Sequence, residues 1–413
     1  MAQSSCCARC IVALGALAAL GILLMPLEHP EPPPSPPALA QAAIATAQPL
    51  ASPPPPPPPP LPRISSARRL ISTPQTGSPT TDLVFGVVAF PPADKAKATA
   101  SFRAPYLKGV RRWVRSVRQA TTAAQTQLLL FTSEGAGALT ADAAMARWLA
   151  EQRVAVEYGD FADAPSRVAH GAPEKFIWCV MRNRWFVIAD YLERHAGRFR
   201  YVLMTDVRDV VLQADPFAAA LAKNLVDGSQ STVVFSGEGA GRVKQLRDSK
   251  KGKPRTLDCA GPAPLRAPER QKLLATEPLN AGVTLGGAAA FRNFSRAMAA
   301  VIKRTTSAAC VGIKDCTDQG LYNLLVYQYW GEYLPHARRV LLPTERALSY
   351  TLGHVTPCCR VAPDGTVLAK SGEAPPILHQ FTKAEAGRKL LSDARFRKRY
   401  IGRGEPSDEK YKI

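Results

Sequence analysis

Asp206 and Asp209 close a short apolar run, Tyr201–Met204, and a second run, Val210–Leu212, follows at once. The first run has strand length and composition, so a buried strand is predicted to end in two carboxylates. Taking an ionised carboxylate out of water is costly unless a cation compensates it. An arginine, a lysine or a divalent metal can supply that charge, and in open α/β sheets ligands collect at the carboxyl ends of strands. The segment reads as an acidic site suited to Mn²⁺ or Mg²⁺, hard cations that take oxygen ligands and share them with phosphates. A plainer reading stands beside it: Asp206 caps a turn, and Asp209 pairs with Arg208 or another arginine.

The elements that must place this pair follow from apolar periodicity. Leu83–Phe90 has the content of a buried first strand, in which Gly86 would allow close backbone approach. Tyr106–Ala120 carries Leu107, Val110, Val114 and Val117 at helical spacing. Gln127–Phe131 and Val154–Tyr158 read as strands on either side of a helix at Asp142–Gln152. A long helix, Lys175–His195, feeds straight into the acidic strand. Strands alternating with helices imply an α/β, Rossmann-like, mostly parallel sheet flanked by helices. The second half is less regular. It offers a strand at Thr232–Phe235 ending in Ser236-Gly237-Glu238, and a turn with a short strand at Pro278–Gly287. Helices are predicted at Ala288–Lys303 and Gly320–Tyr329, the latter open to capping by Thr317 or Asp318. A short apolar segment, Ile377–Phe381, holds His379.

Composition sets the frame. Of 413 residues 37 are proline, crowded between Pro26 and Pro62, so residues 28–81 are predicted to form a solvated, coreless stem of polyproline II type. Before it, Ile11–Leu27 is an apolar run that would span about 25 Å as a helix, near the short limit for a membrane anchor. Arg9 precedes the run and Glu28 and Glu31 follow it, which places the N-terminus in the cytosol. The expected division is a cytosolic tail (1–10), an anchor (11–27), the stem (28–81), a folded domain (82–390) and a basic tail (391–413). The alternative is a cleaved signal peptide, with Ala38–Ala40 as a distant cleavage site, which would give a secreted protein. Cys179, Cys259, Cys310, Cys316, Cys358 and Cys359 would then face an oxidising lumen where disulfides form, Cys310 with Cys316 being the pair expected. The net charge of +20 raises nucleic acid as a partner, but no aromatic-basic motif supports it. A basic surface also suits anionic donors or acidic polysaccharide acceptors, or serves solubility alone.

The order of these pieces is more specific than any one of them. A first strand, a helix, the acidic strand end, Leu279-Asn280-Ala281-Gly282-Val283, Asp318-Gln319 before a helix and a late histidine follow one another. That order resembles the GT-A fold glycosyltransferases, nucleotide-sugar-dependent enzymes that usually sit in the Golgi as type II membrane proteins. The resemblance covers about Leu83–Phe381 and stands at superfamily level. It implies transfer of a sugar from a nucleotide-sugar donor to a glycan or glycoprotein acceptor, by a luminal domain held to the Golgi membrane by the anchor. It also implies Asp206 and Asp209 as metal ligands, with His379 either a third ligand or a hydrogen-bonded structural residue. Asp318 would orient the sugar or act as general base on an acceptor hydroxyl, unless it only caps its helix. Gly86, Asn280, Gly282 and Gln319 would line the donor site, unless Asn280 and Gly282 only form a tight turn. Arg184 would reach phosphate, although a solvated or core-pairing role is the stronger expectation for it, and Glu238 is a further pocket carboxylate. A bridging cation would neutralise charge developing on the leaving nucleoside diphosphate.

The chain departs from the family's Asp-x-Asp in having Asp206-Val207-Arg208-Asp209. With Asp215-Pro216-Phe217 setting the register, Asp209 matches the final metal-binding aspartate and Asp206 lies one residue too far back. Two rivals follow. One is a non-catalytic glycan-binding or cell-wall protein with a degenerate transferase domain. The other is a phosphohydrolase with Asp206 as nucleophile, which the long folded stretch ahead of Asp206 disfavours.

Overall fold

The computed structural model describes residues 81–401 apart from 89, 91–95, 123, 134–138, 160, 162–172, 240–266, 306–317, 353–358 and 381–384. The expected anchor, the stem up to residue 80, the tail beyond 401 and Cys310 with Cys316 lie outside the described residues. Among the described residues, no helix is long and apolar enough to cross a membrane, and Cys359 is disulfide-bonded.

The chain runs β1 (Thr81–Val87), α1 (Ala96–Ala120), β2 (Thr126–Thr132), α2 (Ala143–Glu151), β3 (Val154–Tyr158), α3 (Pro173–Arg194) and β4 (Phe199–Thr205). It continues through β5 (Val210–Leu212), α4 (Pro216–Ala222), β6 (Thr232–Gly237), α5 (Ala267–Leu274), β7 (Leu279–Gly287), α6 (Ala288–Thr305) and α7 (Gln319–Tyr327). The last part holds α8 (Trp330–Tyr333), β8 (Arg338–Leu342), β9 (Ser349–Thr351), β10 (Arg360–Val361), β11 (Val367–Leu368), β12 (Ile377–His379), α9 (Glu385–Ser392) and α10 (Ala394–Phe396).

The main sheet has seven strands in the order β3-β2-β1-β4-β7-β6-β8. All neighbours are parallel except β7, which runs antiparallel to both β4 and β6. The mostly parallel sheet expected from the strand–helix alternation is therefore present. Side chains alternate across each strand, and β1 buries both sets. Leu83, Phe85 and Val87 join Trp185 and Ile188 of α3, Phe291 and Phe294 of α6 and Tyr322 of α7 on one face. Val84 meets Val110, Trp113 and Val117 of α1, with Leu128, Leu130 and Leu203, on the other. A strand covered on both faces reads as a continuous apolar run, and Leu83–Val87 does so. Each such side chain contributes about 1.5–3 kcal/mol on leaving water.

Helix ends follow local chemistry. Asp142 accepts a hydrogen bond from Met145 N at 3.0 Å as the N-cap of α2. Asp215 accepts from Phe217 N and Ala218 N, with Pro216 opening α4. Helix α1 begins at Ala96, ahead of the predicted Tyr106. Pro105 suggests a boundary because it lacks an amide donor and clashes with the preceding turn, yet the helix runs through it.

A second sheet of three short strands has the order β5-β12-β9. Its apolar side packs Val211, Tyr350 and Leu378 on Leu390 of α9, Phe396 of α10 and Tyr400 in the π-helical turn Arg397–Ile401. Strand β5 leaves the end of β4 directly, so the two sheets meet at the Asp206–Asp209 turn.

Candidate metal centre

The turn is built from below by the first strand and from the side by the first helix. Val207 is buried and fills the space over Gly86, where an added Cβ would collide with Val207 Cγ2. The expectation that Gly86 lets a ligand approach is corrected here: its bare face is taken by Val207. Arg208 lies over the ring of Tyr106, 5.9 Å from guanidinium to centroid. In α1, Gly109 lets the helix press against the Arg208 backbone, where a Cβ would come within 2.9 Å of its Cα. Trp113 Nε1 donates to Thr205 Oγ1 at 2.6 Å, and Ser116 Oγ accepts from Leu212 N at 3.1 Å. The extra residue between the aspartates is thus absorbed by burying Val207, and both carboxylates stay on the site side. We expect Gly86→Ala to displace Val207 at a cost of about 1–3 kcal/mol, as overpacked cores show, read as a lower urea midpoint together with weaker cation binding. Unchanged values for both would disprove the plug.

His379 arrives from the small sheet. It pairs in register with Val210 on β5 and Thr351 on β9, and Gln380 N donates to Asp209 O at 2.8 Å. His379 is 1% exposed, and its Nε2 stands 3.4 Å from Asp206 Oδ2 and 3.9 Å from Asp209 Oδ1 without making a hydrogen bond. One ligand atom from each of Asp206, Asp209 and His379 lies within 4.8 Å of the others. Gly282 forms the floor: a Cβ there would sit 2.5 Å from Asp206 Oδ2 and 2.9 Å from His379 Nε2. Its carbonyl also accepts from Asp206 N at 2.7 Å. Two carboxylates and one imidazole nitrogen over a glycine cradle form a donor set that can hold a divalent cation such as Mn²⁺.

Arg184 supplies fixed positive charge beside it. Its side chain is 3% exposed. Nη1 donates to Asp206 Oδ1 at 2.9 Å, Nη2 donates to Asp318 Oδ2 and to Ala281 O, both at 2.8 Å, and Nε donates to Asp318 Oδ2 at 3.1 Å. Burial alone would lower its pKa, but Asp318 and Asp206 outweigh that and hold it above the usual arginine value. Arg184 therefore clamps two acids inward, the core-pairing role weighed against phosphate contact. Asp318 stands at the N-cap position of α7 but makes no side-chain capping bond. Its Oδ2 also accepts from Trp185 Nε1 at 2.9 Å. Burial raises the Asp318 pKa, with Arg184 pulling the other way. The Arg184 bond to Asp206 Oδ1 is also at odds with a nucleophilic role for Asp206.

The described residues thus bring Asp206, Asp209, His379, Gly282, Asn280, Arg184 and Asp318 together. Gln319 lies beside them, its Nε2 donating to Glu238 Oε2 at 2.6 Å and more weakly to Leu279 O at 3.3 Å. Glu238 is buried at the end of β6.

No protein-family model and no curated protein matches the chain. Among solved structures, it is similar to mouse xyloside xylosyltransferase 1 in its apo form. The identity is 14% and the TM-score 0.38, over 72% of this chain and 96% of the other. That likeness is too distant to bear on activity.

Several residues of the centre escape a reading of the sequence. Trp185, Gly109 and Thr351 carry no motif. Tyr106, buried and with a pKa raised by that burial, reads only as one apolar position of an amphipathic helix. Thr351 is found only once β9 is known to pair with β12.

Proposed function

We propose that the chain is a metal-dependent glycosyltransferase of GT-A type that moves a sugar from a nucleotide-sugar donor to a glycan or glycoprotein acceptor. The observation that carries it is the Asp206–Asp209–His379 cluster over Gly282 at the carboxyl edge of β4. A cation held there would act as Lewis acid on the diphosphate of the donor and offset charge as the glycosidic bond breaks. Mn²⁺ is the ion we favour. The chain's own residues do the rest. Arg184 fixes the carboxylate plane of Asp206 and keeps Asp318 in place, so neither reorients during the reaction. Asp318 Oδ2 takes three donors, which suits it to orienting the site. The Gln319–Glu238 pair is the set of polar groups we assign to sugar and acceptor hydroxyls. The N-terminal sequence supports a type II anchor at 11–27 and a stem to 81, which would hold the catalytic domain in the Golgi lumen. That domain runs past the expected boundary at 390, since Phe396, Tyr400 and Ile401 pack in its core.

The test is nucleoside diphosphate release from a panel of nucleotide sugars by the full-length protein in detergent, with Mn²⁺ and with a chelator. Release that needs the cation is the expected result. Binding of glycan with no release from any donor would make the chain a non-catalytic glycan-binding protein.

A further inference from the structure

We propose that Asn280 governs cation loading by setting which ring nitrogen of His379 carries the hydrogen. The inference rests on the metal reading of the cluster. Asn280 is 1% exposed and its carboxamide is fully engaged. Oδ1 accepts from Gly282 N at 2.7 Å, while Nδ2 donates to Thr351 Oγ1 at 2.8 Å and to His379 Nδ1. A backbone N–H can only donate, so the Gly282 bond identifies the oxygen end of the carboxamide, and the end facing His379 is the NH₂. Nδ1 of His379 is therefore an acceptor. A neutral imidazole that accepts at Nδ1 carries its hydrogen on Nε2.

Nε2 is the atom that faces Asp206 and Asp209, where a ligand must present a lone pair. A metal-bound histidine donates its remote N–H to an acceptor; here the remote nitrogen meets a donor. Rotation of the Asn280 carboxamide end for end removes the mismatch. Oδ1 then accepts from Nδ1–H, and Nε2 is free to ligate. The hydrogen moves from Nε2 to Nδ1 through solvent, with no net proton gained or lost. The Thr351 hydroxyl donates or accepts and so serves both orientations. The Gly282 N–H and the carboxamide NH₂ oppose the rotation, because each loses its partner and the two donors then face one another. Loading and rotation are coupled, and the resting orientation holds cation affinity down.

Asn280→Asp separates the two. One carboxylate oxygen can keep the Gly282 bond while the other accepts from Nδ1–H. Nitrogen-15 NMR of histidine-labelled full-length protein reads the tautomer directly. In metal-free wild type His379 should be the Nε2–H form, and Mg²⁺, which is diamagnetic, should convert it to Nδ1–H. In metal-free Asn280→Asp it should already be Nδ1–H, and calorimetry should show Mn²⁺ bound about tenfold more tightly, or about 1.4 kcal/mol. Added negative charge alone also tightens binding, so the tautomer decides. Nδ1–H in metal-free wild type, or Nε2–H retained in Asn280→Asp, overturns the proposal. Should the variant fail to fold, the wild-type Mg²⁺ titration decides: a site that fills without a change of tautomer overturns the coupling alone. A wild-type site that takes no cation overturns the coupling together with the metal reading.

Discussion

Asp209→Asn should lower kcat/KM for nucleotide-sugar turnover by about a thousandfold, or about 4 kcal/mol of transition-state stabilisation. Asp209 is 3% exposed, follows the buried plug of Val207, and directs Oδ1 at His379 Nε2. Asparagine keeps its shape and removes the charge, so the loss falls on the cation and not on the fold. Stability should hold or rise, because a buried charge on a protein without metal is a cost. The pairing of the two results is the diagnostic. Urea melts and initial rates on the same preparation measure it. Full turnover with intact Mn²⁺ dependence would remove Asp209 from the metal site.

Arg184→Met should be the most destabilising single change in the centre, by about 3–5 kcal/mol, because breaking a buried ion pair strands its partners. Two carboxylates, Asp206 and Asp318, lose their shared cation at once. The penalty should depend on pH. Burial already raises the Asp318 pKa while Arg184 pulls it down, so removing Arg184 raises it further above its unfolded value. The folded state then holds more protons than the unfolded state between those two values, and stability falls as pH rises through that window. The variant should therefore recover part of its loss on acidification. Arg184→Lys should recover little, since a point charge cannot serve both acids and Ala281 O together. A variant as stable as wild type at neutral pH would show that Arg184 only decorates the site.

Much of the scaffold is legible in the residues themselves. Tyr201–Met204 and Leu83–Val87 announce strands because both of their faces are buried, and α3 announces itself by length. Asn280–Gly282 reads from sequence as a polar turn, yet it is the buried opening of β7. Its value to the site shows only in Gly282, where a Cβ would strike Asp206 and His379. What is not legible is pairing. Strands β5, β9 and β12 have three residues each, too few for periodicity to show, and they are joined only across long sequence separations. That sheet alone makes His379 a neighbour of Asp209, and it brings Thr351 to Asn280. The spacing Asp206-Val207-Arg208-Asp209 is uninformative for a similar reason. Whether the extra residue breaks the cluster depends on the cavity over Gly86 into which Val207 fits. Glu238 ends an apolar strand as many surface carboxylates do, and its burial and its bond to Gln319 show only in the structure.

The three-stranded sheet has a consequence for how the protein comes into being. A chain emerging from the ribosome has all seven strands of the main sheet available once Leu342 is out. It then carries Arg184, Asp206, Asp209, Gly282 and Asp318, yet it lacks the central strand β12 and the histidine on it. His379 is thus the last ligand of the cation pocket to be synthesised, and a product ending between Leu342 and Ile377 carries the acids without the imidazole.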